Sequence, residues 1–319
     1  MTSIGAVFPA RAPAEALPAF AARAEVLGYD ELWVVEDCFL SGGLTLATAA
    51  LAVTERLRVG IGLLPAAVRN PAIAAMEIAT IGRLYPGRLT VAFGHGVESW
   101  MTQIGARPAK RVAALGEVIT AIRMLLAGET VNATGSWVKL SSVALDTPPD
   151  VPPSILAGTT GPQGIALAAR RADGLLLPEG CGPKFIAHAK EMTARARRDP
   201  PSPLEIVVYA WLRIGEDRAA RATLTEAVSH WVDSGLYGGP MREAGIDRSP
   251  DLGPMDRQVA DELAIVGTGA QCVAGIERFG DAGAQRLILA ALGADFSDQY
   301  ETFAKEVLPV CRDSRKTAS

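Results

Sequence analysis

The feature that most constrains the fold is the alternation of short apolar runs with longer segments of helical period, repeated eight times along the chain. The runs are nearly continuously apolar, as expected for strands of a parallel sheet that is covered on both faces. They lie at residues 4–8, 32–35, 58–64, 89–93, 154–157, 174–177, 206–212 and 286–292. Eight β-α units in 319 residues predict an α/β fold of the (β/α)8 TIM-barrel type rather than an open sheet.

Helical segments follow the runs and define the rest of the domain. They are predicted at residues 14–27 (ended by Gly28), 44–54, from Pro71 onward, 107–127, from 161–162 onward, 185–197, 219–232 and 298–310. Two insertions, after strands four and seven, interrupt the alternation. Residues 129–146 alternate at period two around a Thr-Gly turn and predict a hairpin, whereas residues 234–257 predict a loop or short helices over the active face. Since no boundary demands a second domain, we expect one barrel domain over residues 1–319.

Composition and charge argue against several classes of function. The net charge of -4 gives no electrostatic basis for binding nucleic acid or an anionic membrane. No run approaches the roughly 20 apolar residues of a spanning helix, and the N-terminus lacks the pattern of a secretory signal. The four cysteines are far apart and form no C-x-x-C, so we expect a protein of the reducing cytoplasm without a disulfide framework. A small-molecule substrate is the expected partner.

Common catalytic and nucleotide-binding motifs are missing or incomplete. The stretch Gly94-His95-Gly96-Val97-Glu98-Ser99 lacks the third glycine of a dinucleotide-binding fingerprint, and Gly267-Thr268-Gly269 also fails. No P-loop, H-E-x-x-H or G-x-S-x-G sequence occurs, and His188 and His230 lie in helical patterns typical of surface or packing residues. Metal and serine-hydrolase chemistry therefore has little support.

Active sites of such barrels lie at the carboxyl ends of the strands. In this sequence those ends carry Glu36, Asp37 and Cys38, then Gly62, Leu63 and Leu64, then Gly94, His95 and Gly96, then Gly158 to Gly161, and finally Pro178, Glu179 and Gly180. The stretch A-G-T-T-G-P-Q (157–163) enters a helix through small residues. It is consistent with backbone amides that bind a phosphate and equally with an ordinary β-α turn.

Five stretches, taken in order, resemble the bacterial luciferase-like superfamily. They are G-Y-D-E-L-W-V-V-E-D-C-F, V-G-I-G-L-L-P-A-A-V-R-N-P, L-Y-P-G-R-L-T-V-A-F-G-H-G, I-L-A-G-T-T-G-P and A-D-G-L-L-L, and with V-G-T-G-A-Q and A-G-A-Q-R-L-I-L they span nearly the whole chain. The superfamily consists of (β/α)8-barrel oxidoreductases that use FMN or the deazaflavin coenzyme F420. The resemblance to its F420-dependent branch implies a cis peptide between two non-proline residues of strand three, which bulges against the deazaflavin ring. Spacing back from Arg69-Asn70-Pro71 matches this bond to Gly62–Leu63.

The resemblance also implies an acid after strand two that approaches the cofactor. Asp37 matches that acid, and Cys38 stands where relatives often have a histidine. Sugar-oxidising relatives carry an acid directly after G-x-G of strand four, but this chain has Val97 there and Glu98 one place later. Both departures weaken the case for an alcohol-oxidising acid-base pair. A reduction needs only hydride delivery and one proton donor, or solvent.

Several side chains keep two interpretations. Two neighbouring carboxylates would raise the pKa of the Cys38 thiol, so we interpret it as pocket-lining rather than nucleophilic. Trp100 either stacks on the cofactor ring or packs in a loop-helix junction. Glu36 is as consistent with a hydrogen-bonding role near the strand end as with a catalytic one. His95 and Glu98 are the alternative proton donors.

The predicted function is that of a coenzyme F420H2-dependent reductase acting on a C=C or C=N bond of a small molecule. An FMNH2-dependent monooxygenase and a non-catalytic barrel that binds flavin or substrate are the alternatives. The resemblance also implies a homodimer formed through outer helices of the first half, where residues 73–81 are rich in Ala and Ile. The predicted catalytic residues are Asp37, Cys38, His95 and Glu98. The predicted cofactor-binding residues are Asp37, Ile61, Gly62, Leu63, Gly94, Gly96, Trp100, Ala157, Gly158, Thr159, Thr160 and Gly161.

Overall fold

The structure is a computed structural model that describes residues 2–197, 204–215, 220, 222–225, 238–243 and 262–317. Its strands are β1 (Ser3–Val7), β2 (Glu31–Val34), β3 (Arg58–Pro65), β4 (Leu89–Gly94), β5 (Val131–Thr134), β6 (Lys139–Val143), β7 (Ser154–Gly158), β8 (Gly174–Leu177), β9 (Glu205–Ile214), β10 (Ala264–Gly267) and β11 (Arg286–Ala291). Eight of them close a parallel barrel in the order β1-β2-β3-β4-β7-β8-β9-β11, and β11 returns to β1. The predicted (β/α)8 barrel is confirmed.

Helices cover the outside of the barrel. They span Leu17–Leu27, Gly43–Ala52, Pro71–Leu84, Glu98–Gln103, Arg111–Leu126, Pro162–Arg171, Pro183–Ala196, Gly238–Glu243, Gly269–Ala282, Phe296–Glu306 and Leu308–Thr317, and a 3-10 turn at Ala14–Ala16 precedes the first. The final helix, predicted as one piece, is two. Pro309 lies in the first turn of the second piece, where a residue without an N–H is tolerated. None of the helices in the described ranges is both long and apolar enough for a membrane crossing.

One strand was missed in the sequence. Strand β10 pairs in parallel with Trp211–Ile214, the carboxyl half of β9, beyond the point where β8 has ended. Its four residues run directly into the Gly-Thr-Gly stretch and lie outside the eightfold alternation of strand and helix. The helix after it starts with a capping box between Thr268 and Gln271, so the Gly-Thr-Gly stretch serves helix initiation.

The two insertions have different outcomes. The hairpin at residues 129–146 is confirmed as the antiparallel pair β5 and β6. Of residues 234–257, only the short helix Gly238–Glu243 lies within the described residues. The helix predicted at 219–232 also lies mostly outside them. The prediction of a single domain over residues 1–319 stays a prediction.

Side chains fill the inside of the barrel from the amino ends of the strands, so the candidate site lies at their carboxyl ends. Glu31 is fully buried and accepts hydrogen bonds from Arg286, from Arg58 and from the indole N–H of Trp33. The Trp33 ring then packs edge-on against Tyr209, with ring centroids 5.6 Å apart. Gly60 makes room for the indole, because a methyl group there would lie 2.2 Å from the Trp33 ring.

Candidate active site

The third barrel strand ends in an apolar shelf. The Gly62–Leu63 peptide is cis, as predicted, and the pairing of β3 with β4 shifts register between Ile61 and Leu64. The Leu63 side chain crosses one glycine of the neighbouring strand β4 and one of the next strand, β7. A methyl group at Gly94 would lie 2.4 Å from Cδ2 of Leu63, and one at Gly158 would lie 2.5 Å from it. We call Leu63, Gly94 and Gly158 the Leu63 shelf, and its flat surface depends on both glycines.

Tyr209 supports the shelf from inside the barrel. Its hydroxyl donates a hydrogen bond to the carbonyl oxygen of Gly62 at 3.2 Å, and a side chain at Gly62 would collide with that hydroxyl. Burial, followed by the nearby Glu179 carboxyl, raises the pKa of Tyr209 well above its usual value. The phenol therefore stays protonated and remains a hydrogen-bond donor.

Glu36 has a structural role. The Arg69 guanidinium binds its carboxylate through two hydrogen bonds of 2.6 and 2.8 Å. The backbone N–H of Gly43, at the start of helix Gly43–Ala52, donates a third of 2.9 Å. The Glu36 carboxylate thus joins the end of β2 to a helix start and to the loop after β3. The hydrogen bonds expected of Glu36 near the strand end are confirmed, and a catalytic role for it stays a prediction.

Asp37 and Cys38 follow directly and lie at the mouth. Asp37 is partly buried, and burial raises the pKa of its carboxyl while Arg11, on the loop after β1, lowers it. Burial raises the pKa of the Cys38 thiol, and Glu36 and Asp37 raise it further. Since these terms disfavour a thiolate, they agree with the interpretation of Cys38 as a pocket-lining residue.

The loop after strand β4 holds the other predicted catalytic residues. His95 is partly buried, and burial and then Arg111 lower the pKa of its imidazole, which is neutral at pH 7. Glu98 is exposed and pairs with Arg107 at 2.6 Å and with Arg111 at 3.0 Å. The hydrogen bond from Arg107 is the largest cause that lowers the pKa of Glu98, which opposes a role as proton donor. Trp100 is partly buried in helix Glu98–Gln103.

Strand β7, the fifth strand of the barrel, leads into the start of helix Pro162–Arg171. This helix start is open to solvent on one side. Gly161 caps helix Pro162–Arg171, and no atom lies within 4 Å of a methyl group placed there. Thr159 and Thr160 are partly buried, and the Thr159 hydroxyl packs over Gly164. The first amides of a helix have no partners within it, so this end suits an anion. An ordinary β-α turn has the same backbone.

The remaining predicted cofactor residues are less exposed to the mouth. The side chains of Ile61 and Ala157 are fully buried in the core between strands and helices, so only their main chains border the site. Gly96 has a φ of 68° and lies beside Met101 and Pro65 in the strand-four loop. A side chain at Gly96 would be strained, whatever binds nearby.

The sequence placed Glu179 among the strand-end residues but gave it no catalytic or cofactor-binding role. It follows strand β8, just before a turn at Gly180 with a φ of 81°. Protein atoms surround its carboxyl, although the residue keeps some accessible surface. Burial raises the pKa of Glu179 to about 7, its own backbone amide lowers it, and Asp37 raises it again. Its position at a strand end was the sequence signal available for Glu179.

The sequence also gave no role to Tyr209. Its signal was a hydroxyl group within an apolar run, since a buried tyrosine needs a hydrogen-bond partner.

The fold is a closed (β/α)8 barrel whose candidate site lies at the carboxyl ends of the strands. The sequence profile described as luciferase-like monooxygenase matches residues 3–286, and the chain belongs to that family.

Individual relatives cover almost the whole chain. The 5,10-methylenetetrahydromethanopterin reductase of Methanolobus tindarius is 24% identical over 91% of this chain and 94% of its own. An F420-dependent glucose-6-phosphate dehydrogenase of Amycolatopsis mediterranei is 28% identical over 92% of this chain and 93% of its own. The structure of the coenzyme F420 dependent tetrahydromethanopterin reductase from Methanopyrus kandleri superposes with a TM-score of 0.82 at 20% identity, covering 97% of this chain and 99% of that one. This structural likeness shows that the barrel fold is shared.

Proposed function

We propose that this protein is a coenzyme F420H2-dependent reductase that transfers hydride to a C=C or C=N bond of a small molecule. The observation that carries the proposal is the state of the strand-four loop. Val97 stands where sugar-oxidising relatives have an acid, and Glu98 is held on the surface by Arg107 and Arg111. An alcohol oxidation needs a base at the hydroxyl, and the described part of this loop offers the imidazole of His95 but no unpaired carboxylate, whereas a reduction needs hydride and one proton.

The mouth fits a deazaflavin. The Leu63 shelf offers an apolar surface for one face of a flat ring, and the side chains of Asp37 and Glu179 lie at the same mouth. The helix start at Gly161 offers backbone amides to a phosphate tail. When bound, the cofactor supplies the hydride, while the protein positions the substrate and manages its proton.

Binding and turnover test the proposal separately. The purified protein is titrated with F420 and with FMN, and oxidation of reduced F420 is followed against a panel of α,β-unsaturated ketones and imines. We expect F420 to bind more tightly than FMN and reduced F420 to be oxidised with one or more acceptors. Tight FMN binding without affinity for F420 would contradict the proposal. Retained F420 binding without turnover would favour the non-catalytic barrel.

The second candidate is an FMNH2-dependent monooxygenase, which the family profile itself favours. Such an enzyme needs a sealed pocket, and the segment predicted to cover the mouth, residues 234–257, lies mostly outside the described residues. Oxygen consumption that depends on FMNH2 and on an added substrate would support this candidate over the reductase.

The outer face of the first half supports the proposed homodimer. Residues 38–54 contain no charged side chain, although helix Gly43–Ala52 lies at the surface. On the next helix Ile73 and Met76 are about half exposed, at 49% and 50%. We expect Met76→Glu to convert a dimer into monomers in sedimentation experiments. Val26→Glu, an equally drastic change at an exposed residue of another helix, is the control. A wild-type protein that sediments as a monomer would refute the dimer.

A further inference from the structure

Two described carboxyl groups lie at the barrel mouth, those of Asp37 and Glu179. Neither the motifs nor the family resemblance gives Glu179 a role. It stands two residues beyond strand β8, at the end of the barrel where the Leu63 shelf lies. Part of the residue remains accessible, so a molecule in the mouth has a route to it. In the described part of the chain, no cation acts on this carboxyl, and the one hydrogen bond that affects it comes from its own backbone N–H.

The charged and titratable groups that face Glu179 come from several elements. Asp37 follows β2 and repels a second negative charge, and Cys181 follows on the same loop. Tyr209 lies on β9 and Tyr300 on helix Phe296–Glu306, and both are neutral phenols. Since none of these groups stabilises an ionised Glu179, the environment holds the carboxyl in its protonated form up to neutral pH.

The other candidate donors are bound elsewhere or are poor acids. Glu36 is held by Arg69 and Glu98 by Arg107 and Arg111. The neutral His95 imidazole and the Cys38 thiol give up a proton reluctantly at pH 7. Asp37 and Glu179 remain, and two carboxyls whose negative charges repel each other have pKa values that are pushed apart. Asp37 has Arg11 to stabilise its charge, whereas Glu179 has no such partner among the described residues.

We propose that the Glu179 carboxylic acid is the proton donor of the reduction. As hydride adds to one end of the substrate C=C or C=N bond, the O–H bond of Glu179 breaks and its proton forms the new C–H or N–H bond at the other end. The hydride brings the two electrons that reduce the double bond. The Glu179 carboxylate then regains its proton from water. This assignment rests on the proposed reductase function and adds the acid that the function requires.

The test compares Glu179→Gln with Glu191→Gln, which makes the same chemical change at an exposed glutamate of the helix after β8. The first measurement needs no cofactor. Difference infrared spectra between pH 5 and 9 are recorded for the protonated carboxyl C=O band, which we expect to titrate near pH 7 in the wild type and in Glu191→Gln. We expect that band to be missing in Glu179→Gln. A spectrum that Glu179→Gln leaves unchanged would overturn the proposal.

The second measurement uses F420 binding and the acceptor that gives turnover in the panel above. We expect Glu179→Gln to bind F420 within about threefold of the wild type and to lose about 10²- to 10⁴-fold in kcat. We also expect it to lose the decline in rate above pH 7. A Glu179→Gln enzyme with wild-type kcat and pH profile would refute the donor role while leaving the reductase function intact. A wild type without F420-dependent turnover would refute both, and circular dichroism of each variant controls for folding.

Discussion

The hydroxyl of Tyr209 donates a hydrogen bond to the carbonyl oxygen of Gly62 at 3.2 Å, and this bond ties strand β9 to the Leu63 shelf on strand β3. These strands are not neighbours in the sheet, so the bond crosses the inside of the barrel. Trp33 lies below and fixes the Tyr209 ring by an edge-on contact at 5.6 Å. The position of the shelf is therefore set by the barrel core as well as by its own strand.

We expect Tyr209→Phe to loosen the shelf. The change leaves the buried carbonyl of Gly62 without its partner and costs about 1–2 kcal/mol in the free energy of unfolding. If the shelf holds the cofactor ring, affinity for F420 also falls, by about tenfold per 1.4 kcal/mol lost. Urea denaturation and fluorescence titration measure the two effects.

Tyr29→Phe is the matched control. The Tyr29 hydroxyl is also buried and donates to the carbonyl oxygen of Tyr300 at 2.8 Å, but it lies on the outer side of the barrel under helix Leu17–Leu27. We expect a similar loss of stability with unchanged F420 affinity. Equal losses of affinity in both variants would mean that Tyr209 acts on overall stability alone.

The second prediction concerns alanine substitutions at the two glycines of the Leu63 shelf, Gly94 and Gly158. Gly158→Ala places a methyl group against a movable Leu63 Cδ2, and Gly94→Ala also meets the carbonyl oxygen of Gly158 at 2.9 Å. Each change costs about 1–3 kcal/mol of stability and displaces Leu63. We expect Leu63→Ala to rescue Gly158→Ala almost fully and Gly94→Ala only in part, because a backbone atom cannot move aside as a side chain can.

A double-mutant cycle measures the coupling between Leu63 and each glycine, by unfolding free energy and by F420 affinity. Gly42→Ala is the control for a glycine-to-alanine change, because the nearest atom to its new methyl group is 3.6 Å away. Additive effects of Leu63→Ala and Gly158→Ala would contradict a direct contact between the Leu63 side chain and Gly158.

The barrel could be predicted from the sequence because apolar runs and helical periods are local patterns. The sequence also placed the Gly62–Leu63 bond through the family resemblance. Strand β10 could not be predicted because its pairing depends on Trp211–Ile214, the part of β9 that β8 leaves unpaired. The hydrogen bond of Tyr209 could not be predicted because a contact across the barrel leaves no mark in local spacing. The same limit applies to Glu98, whose spacing after G-x-G suggested chemistry. Its partners Arg107 and Arg111 lie nine and thirteen residues further on.

The barrel floor gives a third prediction. Arg286 lies 5% exposed and Glu31 is fully buried, and their side chains pair below Trp33 with an Nε–Oε1 distance of 2.8 Å. Removal of the Glu31 charge leaves the buried Arg286 with only its second partner, Glu205 at 3.2 Å, so Glu31→Gln is expected to cost about 3 kcal/mol. Thermal melting measures this loss, and F420 affinity below the melting temperature should be unchanged. The exposed pair of Arg23 and Glu301 is the control, and Glu301→Gln should change the melting temperature far less than Glu31→Gln does.

The pH dependence of stability gives the last prediction. The pKa of Glu179 is about 7 in the folded protein and near 4.5 in the unfolded chain. Below pH 4.5 the residue is protonated in both states and has no effect on the pH dependence. As pH rises from 4.5 to 7 the unfolded chain ionises first, so wild-type stability falls, by about 3 kcal/mol at most, and then levels off. Glu179→Gln lacks this loss, so the difference in unfolding free energy between variant and wild type should increase over that interval. Urea denaturation at pH 5, 6, 7 and 8 measures it, and a constant difference would mean that the folded carboxyl titrates like an exposed glutamate.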